Sequence, residues 1–353
     1  MLRPVTAILA AWQAGHRPSS PPTVPIAEAV GCVLAADLAA LDAVPTHMTA
    51  LRYGYAVASS DLVGVSAYAP LLRTEAPALV RAGDPLPVGT DAVLPPDAVV
   101  RSPAAVEIVG EVAPGENVRW PGGELGAGDV LRRAGQVVRP IDAALALAAG
   151  IGQAAVQPFG VILASERENA PMLEALAAHF RSGMQAGVMA VDPDDAEDLK
   201  AKLSLSSADM ILVAAHPTSA LIGLLNPSGA PEGVALGGAE TALFGSGPMP
   251  LVLAAPRLDA LVPLLCCLVE PYAASQTGRA PRRIWRRARL ARKIASRVGL
   301  TELVLLRETK GGLEPLCAGS ITLSALAAAE GYLVVPPESE GCPDGAEVEA
   351  YEL

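Results

Sequence analysis

The stretch Pro114–Gly135, PGENVRWPGGELGAGDVLRRAG, decides how the first half of the chain is read. Its glycines and prolines interrupt any helical period and leave runs of only a few residues between them. Short strands joined by turns are the natural reading of such a pattern. The same punctuation extends upstream through YGYAVAS, AYAPLLR, ALVRAGDPLPVGTDAVLPPDAVV and AVEIVGEV, so a β-rich segment is expected over residues 48–138. Glu124 lies among glycines in a loop, where a carboxylate has little structural reason to be, and it is a candidate ligand contact.

On the N-terminal side, MLRPVTAILAAWQAG predicts an ordinary first helix, because its apolar run is followed by a proline-rich segment with no small-residue cleavage site. IAEAVGCVLAADLAAL, residues 26–41, has apolar residues at helical spacing and predicts a helix running into an extended exit. On the C-terminal side, Pro140 is placed to open a helix that Gly150 stops. From Phe159 onward the pattern changes to apolar runs of four to six residues (GVILAS, VMAV, ADMILVAA, MPLVLAAP) alternating with amphipathic segments. That alternation predicts a mostly parallel sheet covered by helices on both faces. The tail after Arg279 again reads as short strands. Four segments follow: a helical and extended part over 1–47 and 139–157, the inserted β-rich part over 48–138, an α/β part over 158–278, and a C-terminal β part over 279–353.

Composition bounds the function. A chain of 353 residues exceeds the size at which single cores stop growing, about 250–300 residues. Hydrophobic residues make up 51% but aromatics only 3%, so the core must be built from Ala, Leu and Val. The net charge of −11 argues against nucleic-acid binding by the whole protein. Nine basic residues do cluster within Arg279–Arg297, yet only Trp285 is interleaved among them, and a solvated face is expected there rather than a stacking platform. The five cysteines contain no C-x-x-C spacing, which points away from a disulfide framework or a zinc site and toward a cytoplasmic protein. Leu258–Tyr272, the closest approach to a membrane span, is broken by Asp259, Pro263 and Glu270. The four histidines have no metal-ligand spacing, and Ser165 has no nucleophile elbow around it. Asp192, Asp194 and Asp195 precede a helix and are expected to cap it.

Taken in order, VLAADLAALDAVP, TALRYGYAV, AGDPLPVGTDAV, PGENVRWPGGELGAGDVLRRAG and the terminal AGSITLSALAAAEGYLVVPPESEG resemble the MoeA family of molybdenum cofactor biosynthesis, related to the E domain of gephyrin. The resemblance implies an α/β multidomain fold: an elongated subunit with an inserted β-domain, a three-layer α/β domain like the MogA fold, and a small C-terminal β-barrel. It also implies a homodimer whose subunits share a cleft, where molybdate is inserted into adenylylated molybdopterin with Mg²⁺. Such chemistry needs acids for the cation, hydroxyls and amides for oxyanions, and a glycine-rich loop for phosphate. In this chain most of those groups are replaced. The family's aspartate before Gly-Tyr-Ala-Val falls on Tyr53 and its serine on Ala50, Leu125 stands where GEDI has its aspartate, and AHPTSA replaces GGVSVG. SEREN, LAAPR and Glu240 stand at the other family loops.

The expectation is therefore a molybdenum cofactor biosynthesis protein that handles molybdopterin or its adenylylated form, with molybdate insertion impaired or absent. The alternative is a catalytically inactive scaffold or delivery protein for maturing a molybdoenzyme. Glu124 is the remaining catalytic candidate. Asn117 and Arg119 are expected to meet phosphate or pterin polar groups, and Ser165, Thr218 and Ser219 to supply hydroxyls. Arg52 and Arg167 are expected to replace charge that Mg²⁺ would have supplied. No protein metal ligands are expected, and neither a nucleic-acid nor a membrane partner.

Overall fold

The computed structural model describes residues 2–15, 20–101, 105–180, 184–192, 194–205, 208–218, 221–223, 232–245, 249–279, 284–317 and 320–353. The chain divides into two compact units, one formed by Met1–Ala36, Ala134–Pro140 and Ala154–Leu353, the other by Asp37–Arg133 and Ile141–Gln153.

The first unit is built on a seven-stranded sheet in the order Leu2–Pro4, Glu232–Ala235, Leu243–Gly245, Leu251–Ala254, Met210–Ala214, Gly160–Ser165 and Gln185–Ala190. The last four of these strands run parallel to one another. Met210–Ala214 is buried at all five positions, as a strand covered on both faces must be. The helical run Leu258–Thr277 packs into this core. It passes through a π turn at Leu265–Val269, just before Pro271, whose missing N–H removes a rung from the helical ladder. Gly278, at φ +63°, ends it in a left-handed cap. The run is long and apolar enough to cross a bilayer by length and composition, but its apolar window is 67% buried inside the fold, as suits a core helix. Trp12 and Phe159 meet the Tyr272 ring edge-on at 5.4 and 5.6 Å.

In the same unit, five antiparallel strands in the order Ile284–Arg289, Glu347–Glu352, Gly331–Val335, Glu302–Thr309 and Gly312–Cys317 form the C-terminal sheet. A bridge between Leu290 and Leu313 curls its last strand toward its first. The sheet encloses Leu290, Val304, Leu306, Leu333 and Val335. Gly331 is demanded by packing, since a Cβ there would lie 2.4 Å from the Trp285 ring and 2.6 Å from the Tyr351 carbonyl.

The second unit carries two three-stranded sheets, Ala78–Val80/Gly54–Val57/Ala92–Leu94 and Val99–Arg101/Val106–Ile108/Leu71–Arg73. Their shared core contains Tyr55, Leu62, Leu94, Val99 and Ile108. Thr49–Ala50 pairs with Val118–Arg119, and Leu38–Ala39 with Val130–Arg132. The strands expected from the Gly/Pro punctuation of residues 48–138 thus form. A helix runs over Pro140–Ala148, with Gly150 beyond it at φ +77°.

The helix expected over residues 26–41 does not form. Its first residues make hydrogen-bonded turns, and the chain then enters the strands Val33–Leu34 and Leu38–Ala39. Gly31 adopts φ +84° and donates its N–H to the Val138 carbonyl, while Leu34 donates to Gln136, so these backbone groups are satisfied by distant chain rather than by an i−4 ladder. The apolar spacing reflects burial of Ile26 and Ala29 in the turns and of Val33 and Leu34 in the strand that follows.

Candidate functional site

Within the second unit, four of the expected residues come together on one antiparallel pair. Val118 stands opposite Ala50 and Arg119 opposite Thr49, and the Asn117 carbonyl accepts the Leu51 N–H at 2.8 Å. Asn117 sits at φ +59°, a left-handed conformation that Asn tolerates better than most residues. Its Nδ2 donates to the Val93 carbonyl at 2.9 Å, which fixes the side chain. Its Oδ1 lies 3.4 Å from Arg52 Nη1. Arg119 Nη1 meets Glu124 Oε1 at 2.8 Å, with both side chains close to half exposed.

This constellation offers two guanidiniums, one anchored amide and one carboxylate. Glu124 is committed to Arg119, and nearby Glu116 accepts the Ala113 N–H at 3.0 Å. Among the described residues, no group of three His, Cys, Asp or Glu side chains comes together in a way that could hold a metal ion. The Mg²⁺ implied by the family resemblance does not fit the groups present here, because the one or two carboxylates such a cation takes would be Glu124 and Glu116, and both are engaged.

Asp91 and Asp84, two other acids of this unit, are structural. Asp91 accepts the Ser59 N–H and hydroxyl, each at 2.7 Å, and these bonds hold its carboxyl below the usual carboxylate range. Asp84 accepts the Arg81 N–H at 2.8 Å. A cavity of about 250 Å³ in the same unit, which the sequence did not signal, is walled by Val57, Leu62, Ala78 and Ile108, with Asp61 and Arg73 also lining it. The last two form an ion pair at 2.7 Å. None of the expected site residues line it.

In the first unit, Ser165 and Ala214 are register partners in adjacent parallel strands, so the loops that follow, bearing Arg167 and Thr218, leave the same edge of the sheet side by side. The chain proceeds from Gly160–Ser165 to Gln185–Ala190 on one side and later to Met210–Ala214 on the other. Such a reversal in strand order opens a crevice at the carboxyl ends, where ligands bind in open α/β sheets. Ser165 itself is fully buried, and its hydroxyl donates to the Ala214 carbonyl at 2.6 Å, so that hydroxyl serves the sheet. Arg167 is exposed on a short 3₁₀ turn, and Thr218 Oγ1 accepts the Leu221 N–H at 3.3 Å. Ser219 lies outside the described residues, as do His16, Arg282 and Arg283.

The remaining sequence candidates resolve into local electrostatics. Asp195 accepts the Asp198 N–H at 2.9 Å, capping the helix Ala196–Leu205. In the basic segment, Arg286 pairs with Glu308, Arg287 with Glu349, and Arg292 with Glu314, at 3.1, 2.8 and 3.5 Å. Arg297 bridges Glu240 at 2.7 Å and the buried Glu302 at 3.4 Å.

Comparison with known proteins places these observations in a family. The profile of the MoeA N-terminal region (domain I and II) matches residues 3–150, and that of the MoeA C-terminal region (domain IV) matches residues 287–353. A curated relative in Mycobacterium tuberculosis H37Rv, molybdopterin molybdenumtransferase 2, is 28% identical over 159 residues, covering 40% of this chain. The same protein in the CDC 1551/Oshkosh strain matches equally. The chain spans about two fifths of the length of these relatives, 39%. Two solved structures of molybdopterin biosynthesis MoeA protein from Pyrococcus horikoshii superpose with TM-scores of 0.61 and 0.68, each at 22% identity and over 100% of this chain; they are covered to 100% and 99% of their own lengths. A molybdenum cofactor biosynthesis protein from Pyrococcus furiosus superposes with a TM-score of 0.59 at 19% identity, over 100% of both chains. At these identities the structures speak for the fold, while the two sequence profiles together span more than half of the chain. The α/β multidomain architecture and the sequence matches agree: this protein belongs to the MoeA family.

Proposed function

We propose that the protein acts in molybdenum cofactor biosynthesis as a cytoplasmic homodimer that handles molybdopterin or its adenylylated form, with molybdate insertion impaired or absent. Support for the pathway comes from family membership and from relatives named as molybdopterin molybdenumtransferases. The observation that carries the loss of insertion is the replacement of the family's motif residues by Ala50, Tyr53 and Leu125, none of which is a carboxylate, with the one retained acid, Glu124, held by Arg119. In this reading Arg52, Asn117 and Arg119 offer donors to phosphate or pterin oxygens, while Arg167 and Thr218 act at the α/β sheet edge.

Two measurements on the purified full-length protein test the reading. Molybdopterin should raise the melting temperature, because a ligand that binds only the folded state stabilises it by mass action. Molybdate and Mg²⁺ added to the adenylylated form should then yield little or no inserted metal. Efficient insertion would refute the impaired-transfer reading. A melting temperature indifferent to both pterins would leave the scaffold or delivery role for molybdoenzyme maturation in its place.

A further inference from the structure

We propose that the cavity lined by both three-stranded sheets of the second unit is a binding site for a small uncharged molecule with an apolar body and an amide-type edge, one hydrogen-bond donor beside one acceptor. Its walls are Ala56 and Val57 of one sheet, Ile108 of the other, and Leu62 of the turn Ser59–Leu62, all buried. Small residues keep it open: Ala58, Ala78 and Gly89 line it, and a Cβ added to Gly89 would meet nothing within 4 Å. At about 250 Å³ it exceeds the roughly 150 Å³ that accommodates benzene in a dry protein core, so a ring-sized body fits.

Among the described residues, the polar side chains of the lining are Asp61, Arg73 and Thr90. The Thr90 hydroxyl donates to the Pro87 carbonyl at 2.7 Å, so toward a ligand its oxygen can only accept. Arg73 Nη2 donates to Asp61 Oδ2 at 2.7 Å, which engages one N–H of the guanidinium fork and one carboxylate oxygen. Both side chains are about half exposed, where such a pair adds little stability and can yield to a ligand that joins it. Charge then selects the ligand class. An anion brought to Arg73 would confront Asp61 with a like charge, and a cation brought to Asp61 would do the same to Arg73. Either leaves a net charge beside an apolar wall, which is costly. A carbonyl oxygen that accepts from Arg73 while the adjacent N–H donates to Asp61 keeps the pair neutral, and the apolar body covers Val57, Leu62 and Ile108. Arg52, Asn117 and Arg119, proposed to meet the pterin, do not line this cavity, so the two sites stand or fall separately.

Benzamide, benzoate and benzamidine share one shape and differ in charge, which makes them the probes. Titration of the full chain, read by saturation-transfer NMR, should give benzamide a Kd of about 1 mM or tighter. Each ion should bind at least about threefold more weakly, the scale of one partly screened unit charge. Asp61→Asn should reverse the order in favour of benzoate and Arg73→Gln in favour of benzamidine, an exchange that a purely structural ion pair would not produce. Ala78→Phe, which plugs the cavity from an exposed position on the strand Ala78–Val80, should weaken benzamide by about tenfold or more. No saturable binding of benzamide, an ion bound as tightly as benzamide by the parent protein, charge variants that keep the parent's order of preference, or full affinity in Ala78→Phe would each overturn the proposal.

Discussion

The Asp91 carboxylate accepts two hydrogen bonds from Ser59, at 2.7 Å each, and so ties the loop before Ala92–Leu94 to the 3₁₀ turn Ser59–Leu62. Because these bonds lower the folded-state pKa, the stabilisation is fully present above the unfolded value of about 4 and is lost as pH falls toward the folded-state value. Asp91→Asn should cost about 1–2 kcal/mol at neutral pH. Urea unfolding at neutral and at strongly acidic pH checks the mechanism: the gap between parent and variant should narrow in acid, and an unchanged gap would reject it. Gly54 makes a sharper demand by sterics alone, since an added Cβ would stand 2.3 Å from the Leu94 carbonyl oxygen. Gly54→Ala should destabilise the second unit by about 2 kcal/mol or more through forced strand separation, read as a lower midpoint of denaturation. At this scale the sequence was legible only in part. A glycine before a Tyr-Ala-Val strand signalled a turn, but its contact partner lies 40 residues away, and the Arg52–Asn117 pair spans 65. Glu124 stood out as a carboxylate among glycines, yet nothing in its spacing showed that Arg119 holds it.

Among the elements, those that bury both faces were the easiest to read. Gly160–Ser165, Met210–Ala214 and Leu251–Ala254 are continuous apolar runs because helices or neighbouring chain cover each side, and no alternation is needed. The strand Leu2–Pro4 and the antiparallel strands Glu232–Ala235 and Leu243–Gly245 escaped notice because three or four residues carry too little periodicity. Residues 26–41 misled for the converse reason: burial of turns and two-residue strands reproduced helical spacing. The helix Pro140–Ala148 was legible from its proline and glycine punctuation, but its attachment was not. Asp142, 2% exposed in the first turn, meets Arg132 Nε at 2.8 Å and so joins helix to strand. Asp142→Ala removes a dipole-favoured acid and leaves a largely covered guanidinium short of its partner, for an expected loss of about 2–4 kcal/mol. Arg132→Leu should cost less than Arg132→Ala, since a guanidinium stem also packs; equilibrium denaturation of the three variants ranks them, and equal losses would show that the pair does not carry the attachment.

At the scale of the whole molecule, charge decides what the surface can do. A net charge of −11 repels polyanions at long range, and the cluster Arg279–Arg297 is the one place where composition offered a contrary signal. Each of Arg286, Arg287, Arg292 and Arg297 faces a glutamate in the first unit, so their fields are largely cancelled within a few ångströms. Polyanion binding draws its affinity from counterions released when unopposed Lys and Arg neutralise phosphates, and arginines already paired release few. The protein should therefore leave a heparin column at or below roughly physiological ionic strength, about 0.15 M, where screening has already shortened the reach of exposed charges to about 8 Å. Glu308→Gln combined with Glu349→Gln, which unmasks Arg286 and Arg287 without altering the sheet, should delay elution and steepen its salt dependence by about two ion equivalents. Strong retention of the parent chain, or a double variant that elutes with it, would mean that these glutamates do not govern the basic strand.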